Sequence, residues 1–248
     1  MSYDCFLSVR TASSRLKNKC LLSFGQYNFL EHSIKRCLIF RLNPIICTTN
    51  LKEDNLICKI AKKYSVQFFR GSSNNRIKRW YDCAVHFKLA KFHTIDVDDP
   101  FFDNKSIKKS LNFLKKYDLV FPSNKSRTGG GSEGYSIKTI VLEKILSKIK
   151  NKKMDKMNIE IVDDFFKDRT FKTIVLNNSK YETSSKFRVT LDYKEDYIFL
   201  NAIRDMVGNF SSRSTINKFL DKNKYLRKIN FFRNKDWKKR QKEQSNNK

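Results

Sequence analysis

Short apolar runs alternate with amphipathic stretches along the first half of the chain. Five runs rich in β-branched and aromatic residues predict buried strands at 5–9, 45–48, 66–69, 92–97 and 119–121. The stretches between them carry apolar residues at helical spacing and predict helices at 29–42, 53–64, 75–90 and 104–117. Strict alternation of this kind is typical of a mostly parallel, Rossmann-like sheet with helices on both faces. We therefore predict an α/β fold.

The alternation loosens after residue 122. Four of the seven glycines lie between residues 129 and 134, which predicts a loop with unusual backbone angles or a close approach to a ligand. Further strands are predicted at 171–176 and 187–191, and a helix at 194–207. We divide the chain into an α/β domain, residues 1–210, and a basic helical extension with a flexible tail, residues 211–248. A small α+β insertion at about 125–190 is expected to serve substrate binding or oligomerisation.

Polar side chains follow the predicted strands at the edge of the sheet where ligands of such folds bind. They are Arg10, Thr48, Arg70 and Asp98. The loop 10–19 holds four cations and three hydroxyl residues and no acid, a composition that suits a triphosphate. It is not a Walker A loop, and a solvated basic loop remains an alternative interpretation.

Several motifs occur in the order found in one family of enzymes. Residues 10–19 fit the pattern R-x-x-S-x-R-L-x-x-K, and residues 30–36 read LEHSIKR. Further matches are the segments 47–54, 69–79, 98–103 and 187–196. Together they cover roughly residues 3–208 and resemble the CMP-sugar-acid synthetases. The chain is more similar still to the cytidylyltransferases of spore-coat polysaccharide biosynthesis, which implies a fold of the nucleotide-diphospho-sugar transferase type.

The resemblance implies a role for each matching residue. Arg15 and Lys19 are expected to act catalytically on the triphosphate of CTP. Four residues are expected around the nucleotide, namely Arg10, Ser13, Ser14 and Arg79. Asp98 and Asp192 are expected to bind Mg²⁺, for which carboxylate oxygens are suitable ligands. Three residues are expected at the substrate, namely Arg127, Glu133 and Tyr135.

Two aspects of these assignments stay open at the level of sequence. Asp98 and Asp192 each precede a predicted helix, so either could be an ordinary capping residue. Asn18 stands where the family has glycine, although asparagine tolerates the left-handed backbone that such a loop needs. The positions that would bind metal and phosphate are retained, whereas the substrate side differs. The acceptor is therefore expected to be an acidic sugar, of the ulosonic or nonulosonic type, or a small phosphonate.

The net charge of +27 admits more than one interpretation. A basic nucleic-acid-binding protein is the alternative from another class, but the lysines and arginines are dispersed and no RRM, KH or zinc-finger signature occurs. Dispersed lysine with abundant asparagine and isoleucine also follows from A/T-rich codons. The positive field attracts nucleoside triphosphates in either case. The six separated cysteines, the lack of a long apolar stretch and the absence of a basic leader predict a cytoplasmic protein. A homodimer is possible by analogy with the family.

Overall fold

The computed structural model describes residues 2–13, 15–122, 134–149, 159, 162–167, 170–176 and 186–246. The strands are β1 Asp4–Ser8, β2 Ser23–Phe24, β3 Tyr27–Asn28, β4 Asn43–Thr49, β5 Gln67–Gly71, β6 Lys91–Asp96, β7 Leu119–Phe121, β8 Ser136–Lys138 and β9 Thr173–Val175. The α-helices are α1 Phe29–Ile39, α2 Asn55–Lys63, α3 Arg76–His86, α4 Asn104–Phe113, α5 Thr139–Ile149, α6 Lys194–Val207, α7 Arg213–Lys222 and α8 Arg233–Asn246. Short 3-10 helices occupy Lys19–Leu21, Lys52–Asp54, Asp163–Lys167 and Lys224–Ile229.

Within the described residues, seven strands form one sheet in the order β5-β4-β1-β6-β8-β7-β9. The pairs β5–β4, β4–β1, β1–β6 and β7–β9 are parallel, whereas β8 is antiparallel to both of its neighbours. The mostly parallel α/β sheet predicted from the sequence is confirmed. The five strands predicted up to residue 121 are also confirmed, and they correspond to β1, β4, β5, β6 and β7. The carboxyl ends of β1, β4, β5 and β6 lie along one edge, where the loops that follow them gather.

Side chains of each strand alternate between two hydrophobic clusters on opposite faces of the sheet. In β1, Cys5 and Leu7 join one cluster and Phe6 joins the other. Trp80 of α3 and Leu142 of α5 cover the Phe6 face, while helices α1, α4, α6 and α7 contribute to the opposite cluster. This alternation is the period of two expected for strands with helices on both sides.

Polar caps determine where the helices begin. Asn28 accepts a hydrogen bond from the backbone N–H of Glu31 at 2.8 Å, and the Glu31 carboxylate accepts one from the N–H of Asn28 at 3.1 Å. This reciprocal pair satisfies two donors at the start of α1. Asp103 caps α4 by accepting a hydrogen bond from the N–H of Ser106 at 3.0 Å. Helix α1 ends at Ile39, before the predicted residue 42, because Arg41 adopts a left-handed conformation with φ 55°.

The prediction of a strand at 187–191 is wrong, although the predicted strand at 171–176 contains β9. Residues 187–191 are buried but pair with no strand among the described residues. Their backbone groups are bonded individually: the N–H of Leu191 donates to the carbonyl of Asp98 at 2.8 Å, and Asn230 donates to the carbonyl of Arg188 at 2.9 Å. Alternating apolar residues here reflect burial on several sides rather than a sheet.

Residues after 210 pack against the sheet domain. Ile216, Leu220 and Leu226 belong to the same hydrophobic cluster as Leu7 of β1. Arg213 also donates to the carbonyl of Phe101 at 3.2 Å. None of the helices in the described part of the chain combines the length and the apolar character that a membrane crossing requires.

Candidate functional site

Lys19 lies at the centre of a charged cluster at the carboxyl edge of the sheet. Its ammonium contacts the carboxylate of Asp98 and lies 2.9 Å from Oδ1 of Asp192. It also donates to the carbonyl of Leu191 at 2.9 Å. Arg15 contacts the same Oδ1 of Asp192. The structure therefore brings together the two predicted catalytic cations and the two predicted metal ligands, which lie far apart in the sequence.

The backbone around Asp98 fixes these positions. Strand β6 ends at Asp96 and is followed by a turn. The N–H of Asp99 closes this turn by donating to the carbonyl of Asp96 at 2.9 Å. The 2.8 Å bond from the N–H of Leu191 to the carbonyl of Asp98 then places Asp192 beside that turn. The two carboxylates are thus held together by main-chain geometry as well as by Lys19.

Asn18 sets the position of Lys19. Its φ of 52° and ψ of 31° lie in the left-handed region, which was the conformation expected at this position. The N–H of Leu21 donates to its carbonyl at 2.8 Å and closes the 3-10 turn Lys19–Leu21. Asn18 thus has the left-handed backbone that was expected of it, a conformation that asparagine adopts more readily than most residues.

Partial burial makes the charges of the cluster interdependent. Burial alone would lower the pKa of Lys19, but the charges of Asp98 and Asp192 outweigh it and raise that pKa well above its usual value. Burial alone would raise the pKa of Asp192, but Lys19 and Arg15 hold it well below the usual range. Arg15 behaves like Lys19, its pKa being raised chiefly by Asp192 against the effect of burial. Arg15, Lys19 and Asp192 are consequently charged at neutral pH.

The capping interpretation of the two aspartates does not fit the structure. Helix α4 is capped by Asp103 rather than by Asp98, and the N–H groups of Asp192 and Tyr193 before α6 donate to the carboxylate of Asp196, each at 3.0 Å. The carboxylate of Asp192 is instead bonded to cations. Neither aspartate is explained by local helix termination.

Asp98 and Asp192 suit a Mg²⁺ ion that is also bound by a nucleotide. One oxygen of each contacts the same Lys19 ammonium, so the two oxygens lie no farther apart than two hydrogen-bond lengths. Two carboxylates completed by phosphate oxygens and water are the usual ligands of Mg²⁺ in nucleotide sites. No group of three or more His, Cys, Asp or Glu in the described residues could hold an ion without such help. Asp96, the last residue of β6, pairs with Arg76 at 3.4 Å.

The other residues predicted around the nucleotide are placed as follows. Arg10 and Ser13 lie half-buried in the loop between β1 and Lys19, and the hydroxyl of Ser13 accepts a hydrogen bond from the N–H of Leu16 at 3.5 Å. Arg79 is buried in α3 and donates to the carbonyl of Ser72, in the loop after β5. Ser14 lies outside the described residues.

Tyr135 is the predicted substrate residue whose position is described. Its backbone pairs with Thr94 of β6, accepting from the Thr94 N–H at 2.8 Å, and its ring contacts Phe121 and Phe166. Gly134 before it has φ 67°, and a Cβ atom there would lie 1.7 Å from the carbonyl oxygen of Thr94. Arg127 and Glu133 lie outside the described residues.

Asp54 lies in the matched segment 47–54, but the sequence predicts no function for it. Its buried carboxylate accepts hydrogen bonds from the N–H and hydroxyl of Thr11, at 2.8 and 2.7 Å, and from the hydroxyl of Thr48 at 3.0 Å. Burial would raise its pKa, but these bonds and those from Thr49 lower it. Asp54 thereby fastens the loop after β1 to the end of β4. An acid shortly after a strand that ends in threonines is the signal that could have identified it.

A second set of contacts beneath the site was also missed. Arg188 is fully buried, and it contacts Asp192, Asp196 and Asn234. Asn230 joins it through the carbonyl of Arg188 and the carboxylate of Asp196. Arg188 and Asp196 lie within a matched motif, whereas no pattern in the sequence connects the two asparagines to the site.

Comparison with known proteins identifies the family of the chain. A family model described as cytidylyltransferase matches residues 5–236. The chain is 29% identical over 231 residues to an uncharacterized protein of Methanocaldococcus jannaschii, covering 90% of this chain and 92% of that protein. It superposes with a TM-score of 0.79 on a cytidylyltransferase from Leptospira borgpetersenii serovar Hardjo-bovis, at 25% identity, covering 92% and 97% of the two chains.

The likeness of fold extends to more distant structures. CMP:2-keto-3-deoxy-manno-octonic acid synthetase, solved in complex with CTP, superposes with a TM-score of 0.61 at 10% identity, covering 83% of this chain and 99% of that one. The family match spans nearly the whole sequence, including the segments that carry Lys19, Asp98 and Asp192. The chain belongs to the cytidylyltransferase family.

Proposed function

We propose that this enzyme transfers CMP from CTP to an acidic sugar and releases pyrophosphate, supplying activated sugar for a surface glycan. The observation that carries the proposal is the convergence of Arg15, Lys19, Asp98 and Asp192 at the carboxyl edge of the sheet. This edge is where α/β folds bind nucleotides. Two cations and two carboxylates from three separate segments meet there, an arrangement that suits transfer from a nucleoside triphosphate.

In the proposed reaction, an acceptor oxygen forms a bond to the α-phosphorus of CTP as the bond to the β-phosphate oxygen breaks. The acceptor hydroxyl loses its proton, and the electron pair of the broken bond leaves with pyrophosphate. Negative charge accumulates on the phosphates, so positioning and electrostatic stabilisation supply most of the catalysis. Lys19 and Arg15 are preorganised for this task because their charged forms are favoured by the acids beside them.

Asp98 and Asp192 would hold a Mg²⁺ ion between them and the phosphates. Bound there, Mg²⁺ neutralises phosphate charge and favours ionisation of the attacking hydroxyl. Asp192 is only 3% exposed and keeps its negative charge because its pKa is depressed. It would therefore offer the ion a negatively charged oxygen at neutral pH.

The acceptor would bind on the side of β6 where Tyr135 lies, next to Thr94. Arg127, Glu133 and Tyr135 are proposed to contact it. An anionic acceptor fits the excess of positive charge on the protein. A sugar carboxylate and a phosphonate both meet this requirement, so the assay must separate them.

Pyrophosphate release in the presence of Mg²⁺ tests the proposal. CTP, UTP, ATP and GTP are each combined with a panel of ulosonic acids, nonulosonic acids and aminoethyl- or hydroxyethyl-phosphonate. We expect release that needs CTP and a sugar acid, and loss of turnover in Asp98→Ala with an unchanged circular dichroism spectrum. Pyrophosphate release with a phosphonate but with no sugar acid would show that the acceptor is a phosphonate. Full activity of Asp98→Ala would contradict the metal-binding role of Asp98.

A further inference from the structure

Arg188 is a buried cation whose described contacts with the site all pass through Asp192. Its side chain is fully buried, and one terminal nitrogen lies 3.0 Å from Oδ2 of Asp192. Its Nε donates to Oδ1 of Asp196 at 2.8 Å. A cation removed from water needs such partners, because an uncompensated buried charge is costly. Arg188 is therefore fixed in one orientation directly beneath Asp192.

The two oxygens of Asp192 consequently have different surroundings. Oδ1 faces Lys19 and Arg15 at the open edge of the sheet, whereas Oδ2 is bonded to Arg188. The backbone N–H of Asp192 is bonded to Asp196 at 3.0 Å. With the backbone and Oδ2 both held, Oδ1 is the oxygen that this geometry presents to a ligand.

Two asparagines in the segment from Lys224 onward also contact Arg188. The side-chain oxygen of Asn234 accepts a hydrogen bond from Arg188 at 3.2 Å. The side-chain nitrogen of Asn230 donates to the carbonyl of Arg188 and to Oδ1 of Asp196, both at 2.9 Å. Both asparagines are buried, so these bonds are shielded from water.

We propose that Arg188, held by Asn230 and Asn234, is a positioning residue that turns Oδ1 of Asp192 toward the metal of the bound nucleotide. The C-terminal segment thereby sets the affinity of the site for the metal. The proposal rests on the metal role given to Asp192 in the proposed function. Partners of ligating groups typically change metal affinity or activity by about 10- to 100-fold when they are removed.

Substitution of Asn234 tests this role with a control from the neighbouring residue. Asn234→Leu and Asn234→Ala remove the acceptor for Arg188, whereas Asn234→Asp retains it. Arg233→Ala is the matched control, because Arg233 ties the same segment to Glu195 at 2.8 Å and, within the described part of the chain, forms no ion pair with Asp192. Asp192→Asn serves as the reference for loss of the metal ligand.

Metal binding and catalysis are both measured for each folded variant. The first is binding of Mn²⁺ to the enzyme with CTP, followed by water-proton relaxation, which does not depend on turnover. The second is the Mg²⁺ concentration for half-maximal pyrophosphate release, together with the KM for CTP at saturating Mg²⁺. Melting temperatures are recorded to separate an effect on folding from an effect on metal binding.

We expect Asn234→Leu and Asn234→Ala to raise the half-saturating Mg²⁺ concentration by about tenfold, with the KM for CTP unchanged. Asn234→Asp and Arg233→Ala should match the wild type. If Asp192→Asn weakens Mn²⁺ binding and the Asn234 variants do not, the positioning role is wrong and the proposed function stands. If Asp192→Asn binds Mn²⁺ like the wild type, the metal role of Asp192 is wrong and the positioning role with it.

Discussion

The backbone N–H of Leu191 donates to the carbonyl of Asp98 at 2.8 Å. This main-chain hydrogen bond joins the loop after β6 to the segment before α6. It holds Asp98 and Asp192 near each other through a contact that involves no side chain. Lys19 then connects the two carboxylates through one ammonium group. The catalytic proposal depends on this convergence of three distant segments.

Replacement of Lys19 tests the proposed contact with the triphosphate. We expect Lys19→Ala to lower kcat/KM for CTP. The loss should correspond to about 2–4 kcal/mol of transition-state stabilisation, the scale of losing one preorganised electrostatic contact. Lys17→Ala is the control, because Lys17 is an exposed cation of the same loop. Steady-state kinetics of pyrophosphate release measure both. Equal effects of the two substitutions would mean that the loop acts only through its overall charge.

His32 predicts a stability change in mild acid. Burial and, secondarily, the charge of Arg36 lower its pKa to about 3. Because the folded pKa lies below the unfolded value of about 6.5, the contribution of His32 to stability is full above pH 6.5 and is lost as the pH falls toward 3. Below pH 6.5, this residue alone should make the free energy of unfolding decrease as the pH is lowered, at a rate that approaches about 1.4 kcal/mol per pH unit.

The His32→Gln variant isolates that contribution. Glutamine can keep a hydrogen bond to the carbonyl of Pro100, which lies 3.3 Å from Nε2 of His32, but it does not titrate. Urea unfolding at a series of pH values between 5 and 7 compares the two proteins. The same dependence on pH in both would show that other groups cause it.

Gly134 predicts a conformational requirement beside the proposed acceptor site. In Gly134→Ala the new Cβ would lie 1.7 Å from the carbonyl oxygen of Thr94, in addition to the strain of φ 67°. We expect destabilisation of about 3 kcal/mol in urea unfolding. Gly208→Ala is the control, since Gly208 has φ 93° and the nearest atom to its added Cβ is 3.8 Å away. A smaller loss in Gly134→Ala than in Gly208→Ala would contradict this account.

Two truncations separate the end of the chain from the segment that contacts Arg188. Removal of residues 238–248 keeps Asn230 and Asn234, so we expect kcat/KM to remain close to that of the full chain. Removal of residues 230–248 takes both asparagines away, and we expect a higher Mg²⁺ requirement. Activity at varied Mg²⁺ measures the difference. A large loss in the shorter truncation would place residues after 237 in the site.

The first half of the fold could be predicted because its strands are continuous apolar runs separated by amphipathic helices. The segment 187–191 could not, since Phe187, Val189 and Leu191 alternate with polar residues as in a half-buried strand. Arg188 is bonded within a buried network instead of facing water, and Thr190 is buried as well. Periodicity reports which positions are apolar and does not distinguish these two environments. Strand β8, Ser136–Lys138, contains a single apolar residue, Ile137, and therefore shows no pattern.

The site was predictable to the extent that its residues lie in motifs. Arg15, Lys19, Asp98 and Asp192 were identified in this way, and the structure brings them together. Asn230 and Asn234 were not identified, because isolated asparagines in a basic segment resemble solvent-exposed residues. Their importance follows only from packing between segments that are distant in sequence.

The position of the metal in the complex with nucleotide tests the central claim most directly. A crystal of the protein grown with CTP and Mn²⁺ gives that position from the anomalous difference map. We predict one peak in contact with the carboxylates of both Asp98 and Asp192 and with a phosphate of CTP, and Lys19 beside the triphosphate. A metal bound away from these two carboxylates, or CTP bound away from Lys19, would contradict the account.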